Sequence, residues 1–180
     1  MHAVSDIAAS LVCHPDSRCE SVHEIDVDLE QAKSGNLILR LSLAGDLSAL
    51  SIPESSLSRR ADKLWEHTCF EAFLMAGEGP GYLEFNFSPS GEWAVFAFRG
   101  YRERRDLAVE AAPGIVVYRS DDLLELSAEI SGEYIPSGGP LRLGLSTVVE
   151  DAQGVKSYWA LRHPAAKPDF HHVDSFVLEI

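Results

Sequence analysis

Cysteine is scarce in this sequence: Cys13, Cys19 and Cys69 are the only three in 180 residues. An odd, low count excludes a disulfide framework and suits a reducing compartment, so a cytoplasmic location is expected. Three thiols so placed also fall short of a metal cluster. Long apolar runs are missing; none approaches the ~20 residues that a membrane-spanning helix needs. The first stretch, MHAVSDIAASLVCHPDSRCE, has no basic start ahead of a short apolar core, which argues against a secretory signal. Positive charge is in short supply. Fifteen Lys and Arg stand against 28 Asp and Glu, for a net charge of -13 with His neutral. That balance opposes binding to nucleic acid and to anionic membranes, both of which need a basic surface. The basic residues gather in SRRADK (58–63) and RGYRERR (99–105). The second is compact enough for an anionic ligand, but both have acidic neighbours and read as solvated loops. Helical periodicity is nearly absent, and only SSLSRRADKLWEH (55–67) offers one short helix behind a Ser cap.

What remains is strand pattern. NLILRLSLAGD alternates until Gly45-Asp46 ends it, and YLEFNF runs into the turn Ser88-Pro89-Ser90-Gly91 ahead of EWAVFAFRGY, which predicts a hairpin. GIVVYRS and DLLELSAEIS flank a second turn at Asp121-Asp122. With SVHEIDVDLEQ, EHTCFEAFLMAG, PLRLGLSTVVED, KSYWALRH and DSFVLEI, the chain has about ten strands joined by short turns. The fold class is therefore all-β, an antiparallel sandwich or barrel. No repeat or low-complexity linker divides it, so one domain over residues 1–180 is expected, with residues 1–21 readable as irregular.

The two-residue period sorts side chains onto faces. Leu83, Phe85 and Phe87 oppose Tyr82, Glu84 and Asn86; Phe70, Ala72 and Leu74 oppose Cys69, Glu71, Phe73 and Met75. Arg40, Glu71, Glu84, Asn86 and Arg142 are thus polar groups opposite strongly apolar faces. Such a face can be solvated decoration with charges paired across strands. It can also be a concave binding face, where carboxylates and amides bond polyol hydroxyls and aromatics stack on a sugar.

LWEHTCFEAFL, YLEFNFSPSGEWAVFAFRGYR and YWALRHPAAKPDFHHVDSFVLEI together resemble the bacterial DOMON-like domain family, which is related to carbohydrate-binding module family nine. Glu71-Ala72-Phe73 and the E-x-N-x-S-P-x-G run from Glu84 to Gly91 match in order and spacing. The resemblance spans about Val22 to the C-terminus. It implies a DOMON or carbohydrate-binding-module-like jelly-roll sandwich of two antiparallel sheets that binds a sugar, or haem in some relatives. On that footing Trp65 and Trp159 are candidates for an aromatic clamp, and Glu71, Glu84 and Asn86 for polar contacts. Relatives often carry calcium, but no dense Asp/Asn loop of that kind is present. Haem would need Met75 and one of His67, His163, His171 or His172 opposed across an apolar slot.

LRHPAAKPDFHH gathers His163, Lys167, Asp169, His171 and His172, but the spacing matches no compact zinc signature, so no metal is expected. Arg162 and His163 become ligand contacts if this loop lies at the mouth of the polar face. No nucleophile elbow, P-loop, dinucleotide fingerprint or zinc helix occurs, so the chain reads as non-catalytic. Glu71 and Glu84 as a glycosidase-like pair are the minor alternative. The expectation is a non-catalytic domain that binds a small molecule, a carbohydrate or sugar-containing metabolite. A haem-binding electron-transfer domain and a protein-interaction module are its alternatives. Phe85→Ala should destabilise the core by about 3 to 5 kcal/mol. Glu84→Ala should weaken ligand binding while the fold survives, which chemical denaturation and a sugar thermal-shift screen would separate.

Overall fold

The computed structural model describes residues 6–109, 111–135 and 139–180. Two antiparallel sheets face each other. The first has five strands: β1 (Asp6–Ser10), β3 (Val22–Gln31), β4 (Leu37–Gly45), β9 (Gly114–Arg119) and β10 (Leu123–Ile130), in the order β1-β3-β4-β10-β9. The second has eight: β2 (Val12–Cys13), β5 (Cys69–Ala76), β6 (Tyr82–Phe87), β7 (Trp93–Gly100), β8 (Glu103–Arg105), β11 (Leu141–Glu150), β12 (Lys156–Ala160) and β13 (Leu178–Glu179). Their order is β2-β12-β11-β5-β6-β7-β8, and β13 pairs with the start of β11 at Arg142 and Leu143. The all-β sandwich expected from the alternation is what forms.

Alternation places the core. Ile25, Val27 and Leu29 of β3, Leu37 to Leu43 of β4 and Leu124 and Leu126 of β10 pack against Phe70, Leu74, Phe85, Phe87, Val95, Leu143 and Leu145 of the second sheet. Trp159 joins this core, 7% exposed, opposite Thr147 in the β11–β12 register. The hairpin turn at Ser88-Pro89-Ser90-Gly91 forms as expected, with Gly91 at φ +90°. Its N–H donates to the Ser88 carbonyl, a geometry in which a β-carbon is disfavoured.

Two expectations need correcting. Residues 55–67 make no α-helix: only a single 3-10 turn forms, at Leu64–Glu66. The stretch lies along the β6–β7 hairpin, where Ser56 N–H meets the Ser90 carbonyl and Ala61 N–H meets the Trp93 carbonyl. Without an apolar stripe a helix there would bury little, and the hairpin edge offers the backbone better partners. The early residues are also less irregular than expected, since β1 pairs with β3 and β2 pairs with β12.

The outer faces differ. On the five-stranded sheet, Asp26, Asp28 and Arg40 are exposed, and Arg40 meets Glu30 at 3.1 Å. This is the solvated face that cross-strand pairing predicts, and such exposed pairs contribute little. On the eight-stranded sheet, two irregular segments, 51–68 and 161–177, lie over the outer face. The second roofs a small apolar cluster of Phe73, Met75, Tyr82, Phe98 and Phe176. A β-carbon at Gly144 would overlap the Phe176 ring. Gly144→Ala is therefore expected to push Phe176 off the sheet and lower stability by about 1 to 3 kcal/mol. Thermal melts and amide exchange at residues 170–176 check this; unchanged protection would show that Phe176 does not anchor the segment.

Candidate ligand-binding site

Between the two covering segments the outer face opens into a cleft of about 630 Å³. Glu71 of β5, Glu84 of β6, Phe98 of β7 and Val148 of β11 form its floor. On the β8 side stand Trp65 and Arg104. Trp65 meets Phe96 edge-on at 5.9 Å, and the Arg104 guanidinium sits 3.9 Å over the same Phe96 ring. On the β12 side stand Lys156, Tyr158 and Phe170, the two rings 6.0 Å apart.

The floor carboxyls are both 4% exposed. The Asn86 amide donates to Glu84 Oε1 at 2.8 Å. Asn86 also faces Glu71 in the β5–β6 register. Burial raises the Glu84 pKa, while the Asn86 hydrogen bond and the Arg104 and Arg102 charges pull it back. Glu71 receives no hydrogen bond among the described residues. Burial first, then the neighbouring Glu84 charge, push its carboxyl well above the usual carboxylate range. The floor thus pairs a carboxyl braced by Asn86 with a second buried carboxyl that has no hydrogen-bond partner among the described residues.

One end of the floor is closed by a network. Arg102 sits in the left-handed region at φ 56° between β7 and β8, and its N–H donates to the Tyr82 hydroxyl at 3.1 Å. The same hydroxyl lies 2.8 Å from His171 Nδ1, and His171 Nε2 is 3.6 Å from Glu84 Oε2. Burial and then the Arg102 charge depress the His171 pKa to about 4, so this is a neutral imidazole beside a carboxyl at pH 7. Asp169 accepts from Tyr101 at 2.7 Å and from Arg102 at 2.9 Å. Burial works to raise the Asp169 pKa, but those two hydrogen bonds outweigh it and hold the group ionised. A left-handed non-glycine residue persists only when its surroundings hold it, and here Tyr82 and Asp169 do.

The cleft unites Trp65, Glu71 and Glu84 of the expected residues. Asn86 is 0% exposed and lies beneath the cleft as the brace for Glu84. Trp159 is a correction: it faces the sandwich core, its indole N–H donating to Ser157 Oγ at 3.0 Å, so it cannot clamp a ligand here. Arg162 and His163 lie outside the cleft lining as well. His163 Nε2 is 2.7 Å from the Val12 carbonyl, and its ring meets His14 edge-on at 4.9 Å. The start of this loop is held against β2 through Val12, while Pro168 at its far end reaches the cleft.

The haem candidates do not form an axial pair. Met75, His171 and His172 do line one neighbouring hollow of about 540 Å³. The Arg142 guanidinium, however, lies 2.9 Å from Met75 Sδ, placing a cation where iron would bind. His171 Nδ1 is held by Tyr82, and His67 is a surface partner of Glu150 at 2.7 Å. Among the described residues no group of three or more His, Cys, Asp or Glu is arranged to hold a metal ion.

The sequence reasoning missed Arg102, Arg104, Lys156, Tyr158 and Phe170. A signal for Tyr158 existed: it shares strand parity with Lys156 and opposes Trp159, so choosing the tryptophan selected the wrong face of β12. The compact RGYRERR cluster was a signal for Arg102 and Arg104.

No family model matches this sequence, and no curated protein matches it. Solved structures share its fold, among them these two. One is a protein of Bacteroides uniformis provisionally assigned as carbohydrate-binding, with a TM-score of 0.72 and 15% identity over 95% of this chain and 84% of that one. The other is a family 9 carbohydrate-binding module of Caldicellulosiruptor kristjanssonii in complex with cellotriose, with a TM-score of 0.59 and 8% identity over 91% of this chain and 76% of that one. At these identities the likeness is one of fold: the chain is a sandwich of the carbohydrate-binding-module type.

Glu71 of the floor and His171 beside it pull stability in opposite directions with pH. Above pH 4.5 the unfolded chain releases the Glu71 proton while the folded chain keeps it, so stability falls as pH rises toward the folded value. Below pH 6.5 the unfolded chain protonates His171 while the folded chain resists until about 4, so stability falls as pH drops through that window. Glu71→Gln should therefore gain on the wild type in melting temperature as pH rises above 4.5, with no gain below. His171→Gln should flatten the acid-side loss. Scanning fluorimetry across pH reads both; a Glu71→Gln offset that does not change with pH would contradict the placement of that carboxyl.

Proposed function

We propose that this protein binds a carbohydrate in the cleft on the eight-stranded sheet and does not transform it. The observation that carries the proposal is the pairing of aromatic walls with a polar floor: Trp65, Tyr158 and Phe170 stand over Glu71 and Glu84. Sugars present apolar C–H faces to aromatic rings and hydroxyls to carboxyl and amide groups, so one cleft offers both kinds of contact. Glu71, buried and unpartnered, has hydrogen-bonding capacity that a ligand hydroxyl would satisfy. The fold likeness to a module crystallised with cellotriose supports the same class of ligand. So does the resemblance to bacterial DOMON-like domains, whose C-terminal block supplies Tyr158, Phe170 and His171. Catalysis is disfavoured by layout. Glu71 and Glu84 project from adjacent strands of one floor, whereas hydrolysis needs an acid and a base flanking the bond.

Calorimetric titration with cellotriose and a panel of neutral and acidic mono- and oligosaccharides tests the reading. Binding to at least one sugar is expected, weakened about tenfold or more by Trp65→Ala with little change in melting temperature. Trp159→Ala should instead lower stability by about 3 to 5 kcal/mol. Loss of binding in a stable Trp159→Ala protein, with Trp65→Ala unaffected, would refute the cleft as the site.

A further inference from the structure

Three basic side chains line the cleft beside three carboxyls, in a molecule whose composition is strongly acidic. Acidic residues outnumber basic ones by 28 to 15, yet Arg102, Arg104 and Lys156 all line this one cavity. Arg102 is neutralised by Asp169 at 2.9 Å. The other two form no ion pair among the described residues. Arg104 lies over Phe96 at 3.9 Å and 5.8 Å from the centre of the Trp65 ring. Lys156 sits across from Glu150 in the β11–β12 register, but Glu150 is taken by His67 at 2.7 Å. Among the described residues none of the acidic groups of the lining is in an ion pair with Arg104 or Lys156. Glu66 leans toward Lys63 at 3.6 Å, burial raises the Glu71 pKa, and Glu84 is hydrogen-bonded to Asn86.

We infer that the ligand of this cleft is an acidic sugar, one whose carboxylate or phosphate ester pairs with Arg104 while its ring lies on Trp65, with Lys156 drawing the anion in from the opposite side. This rests on the carbohydrate reading and narrows it. A guanidinium fixed on an aromatic ring keeps its hydrogen-bonding edge free, and an anion is its strongest partner. A guanidinium at the rim of a strongly acidic protein with nothing to pair with would otherwise be an unused attraction. Glu84 sets where the anion cannot go: it holds the middle of the floor, so the ligand's charge belongs at the Arg104 rim.

The test is a glycan microarray that displays neutral glycans beside uronate-bearing and phosphorylated ones, with calorimetry on the best binder and its neutral counterpart. The acidic form is expected to bind about tenfold or more tightly, with a preference that shrinks as salt is raised. The uronate and phosphate spots show which anion is read. Arg104→Gln should erase most of the preference and Lys156→Gln part of it. Arg105→Gln, one residue along β8 and absent from the cleft lining, should leave it unchanged. Equal binding of neutral and acidic glycans would overturn this inference and leave the carbohydrate reading standing. No binding to any glycan would overturn both. Loss of preference in Arg105→Gln equal to that in Arg104→Gln would also overturn it, since general surface charge would then be the cause.

Discussion

The carboxyl of Glu84 cannot sit under a loop on an outer sheet face unless something satisfies it, and much of the cleft follows from how it is satisfied. Asn86, two residues on along the same strand, donates to it at 2.8 Å, and the His171 ring lies 3.6 Å away on the other side. That arrangement requires the C-terminal segment to reach back across the sheet. Asp169 stitches the segment to the β7–β8 turn through Tyr101 and Arg102, and Phe176 seats it on Gly144. A buried polar group without such partners would be destabilising, so the polar floor and its irregular roof form one unit.

The two sheets solve the problem of an outer face in different ways. The five-stranded sheet leaves its acidic face to water, where Asp26, Asp28 and Glu125 help to produce the large negative net charge. The eight-stranded sheet covers its outer face with segments 51–68 and 161–177 but leaves a gap between them. Polar groups at that gap are partly stripped of water, which strengthens their interactions with anything that enters. The left-handed Lys63 and Arg102 flank it, one just before the Trp65 turn and one at the network that holds the floor.

Much of this was legible in strand periodicity alone. The alternation in 82–87 correctly separated Phe85 from Glu84, and the same rule correctly put Glu71 beside it. It could not say which outer face was open, because Arg40 on one sheet and Glu71 on the other look alike in sequence; only the loops that cover one sheet distinguish them. It failed at β12, where Trp159 drew attention as the larger aromatic although Tyr158 has the outward parity. His163 and Arg162 were misplaced because the path of a proline-bounded loop is set by what it packs against, here His14 and Val12, which are distant in sequence. The 55–67 stretch was misread as helical because local propensity carries no information about a hairpin edge waiting to pair with it.

The most direct test of the central claim, that the gap over Glu71 and Glu84 is where ligand binds, is a nitrogen-15 NMR titration with cellotriose and with a uronate-terminated oligosaccharide. The account predicts saturable shifts at the Trp65 indole and at backbone amides of Arg102 to Arg104 and Lys156 to Tyr158, with the Trp159 indole unmoved. Shifts clustered instead around Arg40 and Asp28 on the other sheet, or no saturable shift with either sugar, would contradict it.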